Sequence, residues 1–95
     1  VSTDRILGLL ADTMGEPDRA ASHFEIAEDF CRIAGYRPEL GWICYEYAGA
    51  LGSRNAAGDH AKAVSLLEES LAISSELGMR PLMERVLSQR EILKA

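Results

Sequence analysis

Aromatic residues are scarce in this chain, at 6% of 95 residues. Ala, Leu, Glu and Arg are abundant instead, a balance that favours helix over sheet. The two cysteines, Cys31 and Cys44, are too few and too irregularly placed for a disulfide framework or a zinc site. Both lie in apolar surroundings and read as small core hydrophobes, which fits a reducing, cytoplasmic compartment. No apolar run approaches the ~20 residues that a membrane span needs. No signal peptide is evident either, so no membrane partner is expected. The chain starts at Val1 rather than Met, which reads as a piece cut from a longer protein.

Positive charge is also short. Ten basic residues against fifteen acidic ones leave a formal net charge of −5. That excludes the basic footprint of sequence-independent phosphate binding, so direct nucleic-acid contact is not expected. The deficit is uneven. Residues 1–35 hold seven acids and three bases (−4), residues 59–79 four acids and one base (−3), and residues 80–95 two acids and four bases (+2). The segments read as solvated helix faces, or the last one as a helix that seats on an acidic neighbour.

Catalytic constellations are missing. Neither a Walker-type phosphate loop nor a Gly-x-Gly-x-x-Gly is present, and Gly49-Ala50-Leu51-Gly52 lacks the preceding strand such a loop requires. His23 and Cys31 are eight residues apart on one helix, about 12 Å along its axis, too far for a hydrogen bond. Neither His23 nor His60 has the convergent ligands of a metal site. The adjacent pairs Glu28-Asp29 and Glu68-Glu69 point about 100° apart, so they do not converge for acid–base work and read as outer-face charges. Asp59 reads as a helix cap. The expectation is a chain without enzyme activity, cofactor or metal.

What the chain does have is punctuation. Gly15 precedes Glu16-Pro17, Gly35 precedes Tyr36-Arg37-Pro38, Gly52 to Gly58 encloses Ser-Arg-Asn-Ala-Ala, and Gly78 precedes Met79-Arg80-Pro81. Glycine just past a helix and proline at the start of the next is the usual asymmetry of helix ends. It predicts helices over about 3–14, 17–34, 38–52, 59–77 and 81–94. Ala20, Phe24, Ala27, Phe30 and Ala34 form one apolar stripe, and Ala63, Leu67, Ser70, Ile73 and Leu77 another. Met83, Val86, Leu87, Ile92 and Leu93 give the last helix its apolar face. Connections of two to six residues imply antiparallel neighbours.

The two stripes are one stripe repeated. Gly15, Ala20, Phe24, Phe30, Ala34 and Gly35 each lie 43 positions before Gly58, Ala63, Leu67, Ile73, Leu77 and Gly78, and Gly-Tyr-Arg-Pro recurs as Gly-Met-Arg-Pro. Such a period points to a helical solenoid. The first helix of each pair keeps a different offset, with Leu7-Gly8 and Tyr47-Ala48 lying 40 apart. For the last helix both 43 and 40 remain open.

These residues resemble tetratricopeptide repeats. Leu7-Gly8, Gly15, Ala20, Phe24 and Ala27 match that family's pattern in order and spacing. Tyr47-Ala48, Gly58, Ala63 and Leu67 repeat it, with Ser70 replacing the last Ala. Small residues there have a physical purpose: Gly8 and Ala20 let two backbones approach while Phe24 fills the gap beside them. The unit is stretched to about forty residues against the family's usual 34. This variant resembles the C-terminal repeats of large multidomain bacterial regulators, such as LuxR-type ATP-dependent activators and cyclase or kinase proteins with an ATPase module.

The resemblance implies an all-α, right-handed helical-hairpin solenoid of about 2.5 repeats in a single domain, 1–95. Repeat 1 would span about 1–35, repeat 2 about 38–78, and a capping helix about 81–94. It also implies a concave face lined by the first helix of each pair. Positions matching Arg5, Leu9 and Asp12 face it, which carries over to Trp42, Tyr45 and Gly49, and Arg85 faces it in either register. Trp42 then either packs against a neighbouring helix or anchors a recognition surface flanked by arginines, residue types enriched at binding hot spots. The expected role is a non-catalytic interaction or scaffold module within a larger bacterial signalling or transcription-regulator protein. It would bind a protein or peptide, including another domain of the same parent chain. Two alternatives are a structural end cap or homodimerisation unit pairing through exposed end faces and, more remotely, a small-molecule-sensing domain.

Overall fold

The computed structural model describes residues 3–94. Five helices follow in order: α1 (Thr3–Thr13), α2 (Pro17–Ala34), α3 (Arg37–Arg54), α4 (Asp59–Leu77) and α5 (Arg80–Lys94). No strand occurs among the described residues, and no described helix is long and apolar enough to cross a membrane. Each helix packs on the next, and α3 also touches α1 and α5. The sequence boundaries hold to within two residues. The largest departure is α3, which runs through Gly52 and stops only where Asn55 takes the left-handed conformation at φ 50°.

The two Gly-x-Arg-Pro joints are built alike, bond for bond. The amide of Gly35 donates to the Cys31 carbonyl, Arg37 to Gly35 and Leu40 to Tyr36. Gly78 donates to Ser74, Arg80 to Gly78 and Met83 to Met79. Gly35 and Gly78 sit at φ 76° and 68°, where a side chain would be strained. The match places α5 at the 43-residue offset from α3.

The buried rows follow the true helical period. Ala20, Phe24, Ala27 and Cys31 are all buried, as are Ala63, Leu67, Ser70 and Ser74. Steps of four, three and four stay close to 3.6 residues per turn, so the fourth place falls on Cys31 rather than Phe30. The stripes are corrected at Phe30, Ala34 and Leu77, while Ile73 is buried as its stripe implied. Phe30 is 54% exposed, Ala34 is also exposed, and Leu77 is 42% exposed. Leu7 is 39% exposed although Tyr47, 40 positions later, is buried. No described helix covers that side of α1. In α5 the buried row is Leu82 and Val86, with Leu93 packed against the core, whereas Leu87 and Ile92 remain exposed.

Asp59 is not a cap. Its carboxylate accepts from Nε and Nη2 of Arg54 at 2.8 Å each and from the Ala56 amide at 3.0 Å. The α4 N-terminus has no side-chain cap. Asp59 instead ties the 55–58 connection to the end of α3. The hydrogen bonds from Arg54 are the main cause that lowers its carboxyl to about 2.

Two predictions follow from these contacts. A Cβ on Gly8 would lie 2.8 Å from the Phe24 ring, which is fully buried and has no room to retreat. Overpacking of this kind costs about 1–3 kcal/mol, more than the ~1 kcal/mol an alanine gains over glycine in a helix. Gly8→Ala should therefore lower the melting temperature. Gly52→Ala, whose Cβ meets only Leu93 at 4.0 Å, should raise it. Circular dichroism melts check both signs. The second concerns acid. With its folded pKa depressed, Asp59 contributes stability that is complete above its ordinary value and fades as pH falls from about 4 to about 2. Melts across that range should show an acid limb that Asp59→Asn flattens. Equal slopes in the two chains would remove Asp59 as its source.

Candidate interaction surface

Trp42 is the only tryptophan, and it sits half-buried in the first half of α3. Positions 42, 45, 46 and 49 share one face of a helix at steps of three, four and seven. They bring Tyr45, Glu46 and Gly49 into line with it. The Tyr45 ring meets Trp42 edge to face, with centroids 6.4 Å apart and planes at 82°, a favoured aromatic arrangement. One guanidinium from each neighbouring odd helix lies over the indole: Arg5 of α1 at 5.9 Å from the ring centroid and Arg85 of α5 at 5.8 Å.

The two arginines differ in how they are held. Arg5 donates through Nε and Nη2 to both oxygens of Glu46, at 2.7 and 2.6 Å, and through Nη1 to Glu39 at 3.3 Å. The hydrogen bond to Glu46 is the main cause that raises its pKa. Arg85 is exposed and makes no ion pair among the described residues.

Two shallow grooves open beside this cluster. One, of about 190 Å³, is lined by Leu9, Asp12, Tyr45, Glu46, Gly49 and Gln89. The other, of about 440 Å³, is lined by Tyr45, Pro81, Glu84, Arg85, Ser88 and Gln89. They share Tyr45 and Gln89 as a common wall, and every lining residue comes from α1, α3 or α5. Arg5, Leu9, Asp12, Trp42, Tyr45, Gly49 and Arg85, singled out from the sequence, thus converge on one continuous surface. Sequence reasoning missed Glu46, Glu39 and Gln89. The i, i+4 step from Trp42 puts Glu46 on the right face, but its pairing with a residue 41 positions away is a tertiary fact.

A second polar cluster lies between α2 and α4. Arg32 donates to Glu28 at 2.6 Å and to both Glu69 oxygens at 2.7 Å. Glu28 and Glu69 are therefore not solvated outer-face charges, as the sequence implied. They flank the buried Cys44 thiol, and one donor atom from each of the three lies within 4.8 Å of the others. Burial pushes that thiol up to about 12, so it is protonated at neutral pH, and the cation seated between the carboxylates is Arg32. Cys31 is likewise buried. His23 pairs with Asp4 at 3.2 Å and His60 is exposed.

No protein-family model matches this chain, and no curated protein or solved structure matches it.

The arginine clamp gives an ordered prediction. Glu46 and Arg5 are only 11% and 19% exposed at their side chains, so Glu46→Gln should cost about 1–2 kcal/mol, in the range for hydrogen bonds to charged groups. It should also shift Trp42 emission to the red as Arg5 comes loose. Glu39→Gln, at a longer contact, should change both readouts less. The reverse order in emission and denaturant titration would place the clamp on Glu39.

Proposed function

We propose that this chain is a non-catalytic protein–protein interaction module of the tetratricopeptide-like kind, a stack of about 2.5 helical hairpins whose odd helices form the recognition face. Three observations support the architecture: the two equivalent Gly-x-Arg-Pro joints, the matched buried rows of α2 and α4, and the close approach at Gly8 and Phe24. The observation that carries the function is the Trp42 platform, with a guanidinium from each neighbouring odd helix over its ring and grooves beside it. Aromatic and arginine side chains held in place are the usual anchors of binding energy.

The occupant fitting this surface is a protein segment, helical or extended. It would place apolar side chains against Leu9 and Tyr45 and a carboxylate on Arg85. In a larger bacterial signalling or transcription-regulator protein, such a segment could belong to an output or ATPase domain held in check. That context rests on resemblance.

The test uses peptides selected on the chain from a random display library. Selected peptides should shift Trp42 fluorescence on binding. The Tyr45→Ala, Arg85→Ala pair should weaken them about tenfold or more, the scale of losing one or two hot-spot residues, with helicity unchanged. Peptides that bind the pair variant as tightly as the parent chain would overturn the reading and favour a purely structural end unit. A bound metabolite found by native mass spectrometry would instead favour small-molecule sensing.

A further inference from the structure

The exposed large apolar residues are not spread evenly. Nine of them lie on the first hairpin: Leu9 lines the groove beside Tyr45, and the other eight are Ile6, Leu7, Leu10 and Met14 along and just past α1, and Ile26, Phe30, Ile33 and Tyr36 along and just past α2. Ile33 is 90% exposed, and the Phe30 and Tyr36 rings already touch at 5.9 Å between centroids.

Comparison with the equivalent positions of α3 and α4 explains what this face is missing. At offsets of 40 and 43, Ile6 corresponds to Glu46, Met14 to Arg54, Ile26 to Glu69 and Ile33 to Glu76. Each of those four charges reaches back to the first hairpin or to the start of α3. Glu46 binds Arg5, Arg54 binds Asp18, Glu69 binds Arg32 and Glu76 binds Arg37. Three of these pairs tie the second hairpin to the first and the fourth ties α4 to α3, and at the matching positions of the first hairpin all four charges are replaced by large apolar side chains. The far end of the molecule is different. The row on α3 that receives α4 is Gly41, Cys44 and Ala48, all buried. Its counterpart on α5 is Glu84, Leu87 and Glu91, all exposed, and two of the three are acidic. That face presents charge where the corresponding face of α3 presents small buried residues.

We propose that a second copy of this chain docks on the outer apolar face of the first hairpin, giving a closed two-fold pair. The rows Ile6–Leu7–Leu10–Met14 and Ile26–Phe30–Ile33 are themselves apolar, and the exposed Asp29 on the flank of the second falls at the rim of the pairing between two chains of net charge −5. Eight side chains leaving about 100 Å² each amount to on the order of 800 Å², what one partner buries in a standard interface. The charged far end prevents head-to-tail growth and leaves the isologous pair as the closed solution. The pairing is independent of the Trp42 surface, so either proposal can fail alone.

Sedimentation velocity tests it over about 1–200 μM, a range that spans micromolar dissociation constants. The mass should rise from the 10.4 kDa of one chain toward twice that. Ile33→Asp, at a position that needs no burial to fold, should weaken association about tenfold or more, with Phe30→Asp as a second probe and helicity unchanged by circular dichroism. Leu87→Asp should leave association intact. A single-chain mass at every concentration overturns the proposal and leaves the face to another segment or partner. Equal weakening by Leu87→Asp and Ile33→Asp overturns it as well.

Discussion

The structure depends on the close contact between the Phe24 ring and the bare backbone at Gly8. With no Cβ at Gly8, α1 and α2 approach until the ring lies against the α1 backbone. The same ring stacks on Tyr47 of α3 at 6.1 Å and 28°. Tyr47 in turn lies under the Lys62 ammonium of α4, 5.0 Å from its ring centroid. One line of contact therefore runs through four helices. Alanines complete it: Ala20, Ala27, Ala48 and Ala63 are fully buried and hold the helices at a distance that a single aromatic can span. Interiors are close-packed, so a volume change at this contact is felt by its neighbours.

Ion pairs do a different job. Arg54–Asp18 and Arg37–Glu76 join exposed groups, with Asp18 87% and Glu76 62% exposed. Pairs of that kind contribute about 0–1 kcal/mol. The half-buried, two-pronged Arg5–Glu46 pair is worth more. Stability thus comes mainly from the packed rows, and the ion pairs add links between helices. Arg32 illustrates the point: it bridges α2 and α4 through Glu28 and Glu69, two helices whose backbones do not meet.

Local rules carried most of the fold into view from the sequence. Glycine and proline at the joints located four of the helix ends, and the 43-residue offset pointed to matched packing positions on α2 and α4. The failures share one cause. Phe30 and Leu7 look like core residues by pattern, yet their exposure depends on whether another helix lies opposite. Glu28 and Glu69 look solvated by adjacency, yet each meets Arg32. Asp59 stands where a cap belongs, but Arg54, five residues earlier, claims its carboxylate. Leu82 was passed over because its neighbour Met83 fits the same pattern. Pattern specifies which residues share a face. Only the neighbouring element decides what that face meets. The candidate surface was legible for the same reason in reverse: Trp42, Tyr45 and Gly49 share a face by spacing alone, whereas the clamp that Glu46 places on Arg5 was not visible.

That clamp bears on what the surface can do. A flexible arginine over an aromatic ring must be immobilised when a partner arrives, at about 0.5–1.5 kcal/mol per side chain. Arg5 has already lost that freedom to Glu46 and Glu39, and Trp42 to its packing against the core. Their ordering therefore costs folding rather than binding. No carboxylate among the described residues fixes Arg85. The surface thus combines a rigid half, which offers shape, with one cation still open to a carboxylate from outside. A packing role alone explains the rigid half. The asymmetry between two arginines over the same indole is the feature the proposed recognition role would use.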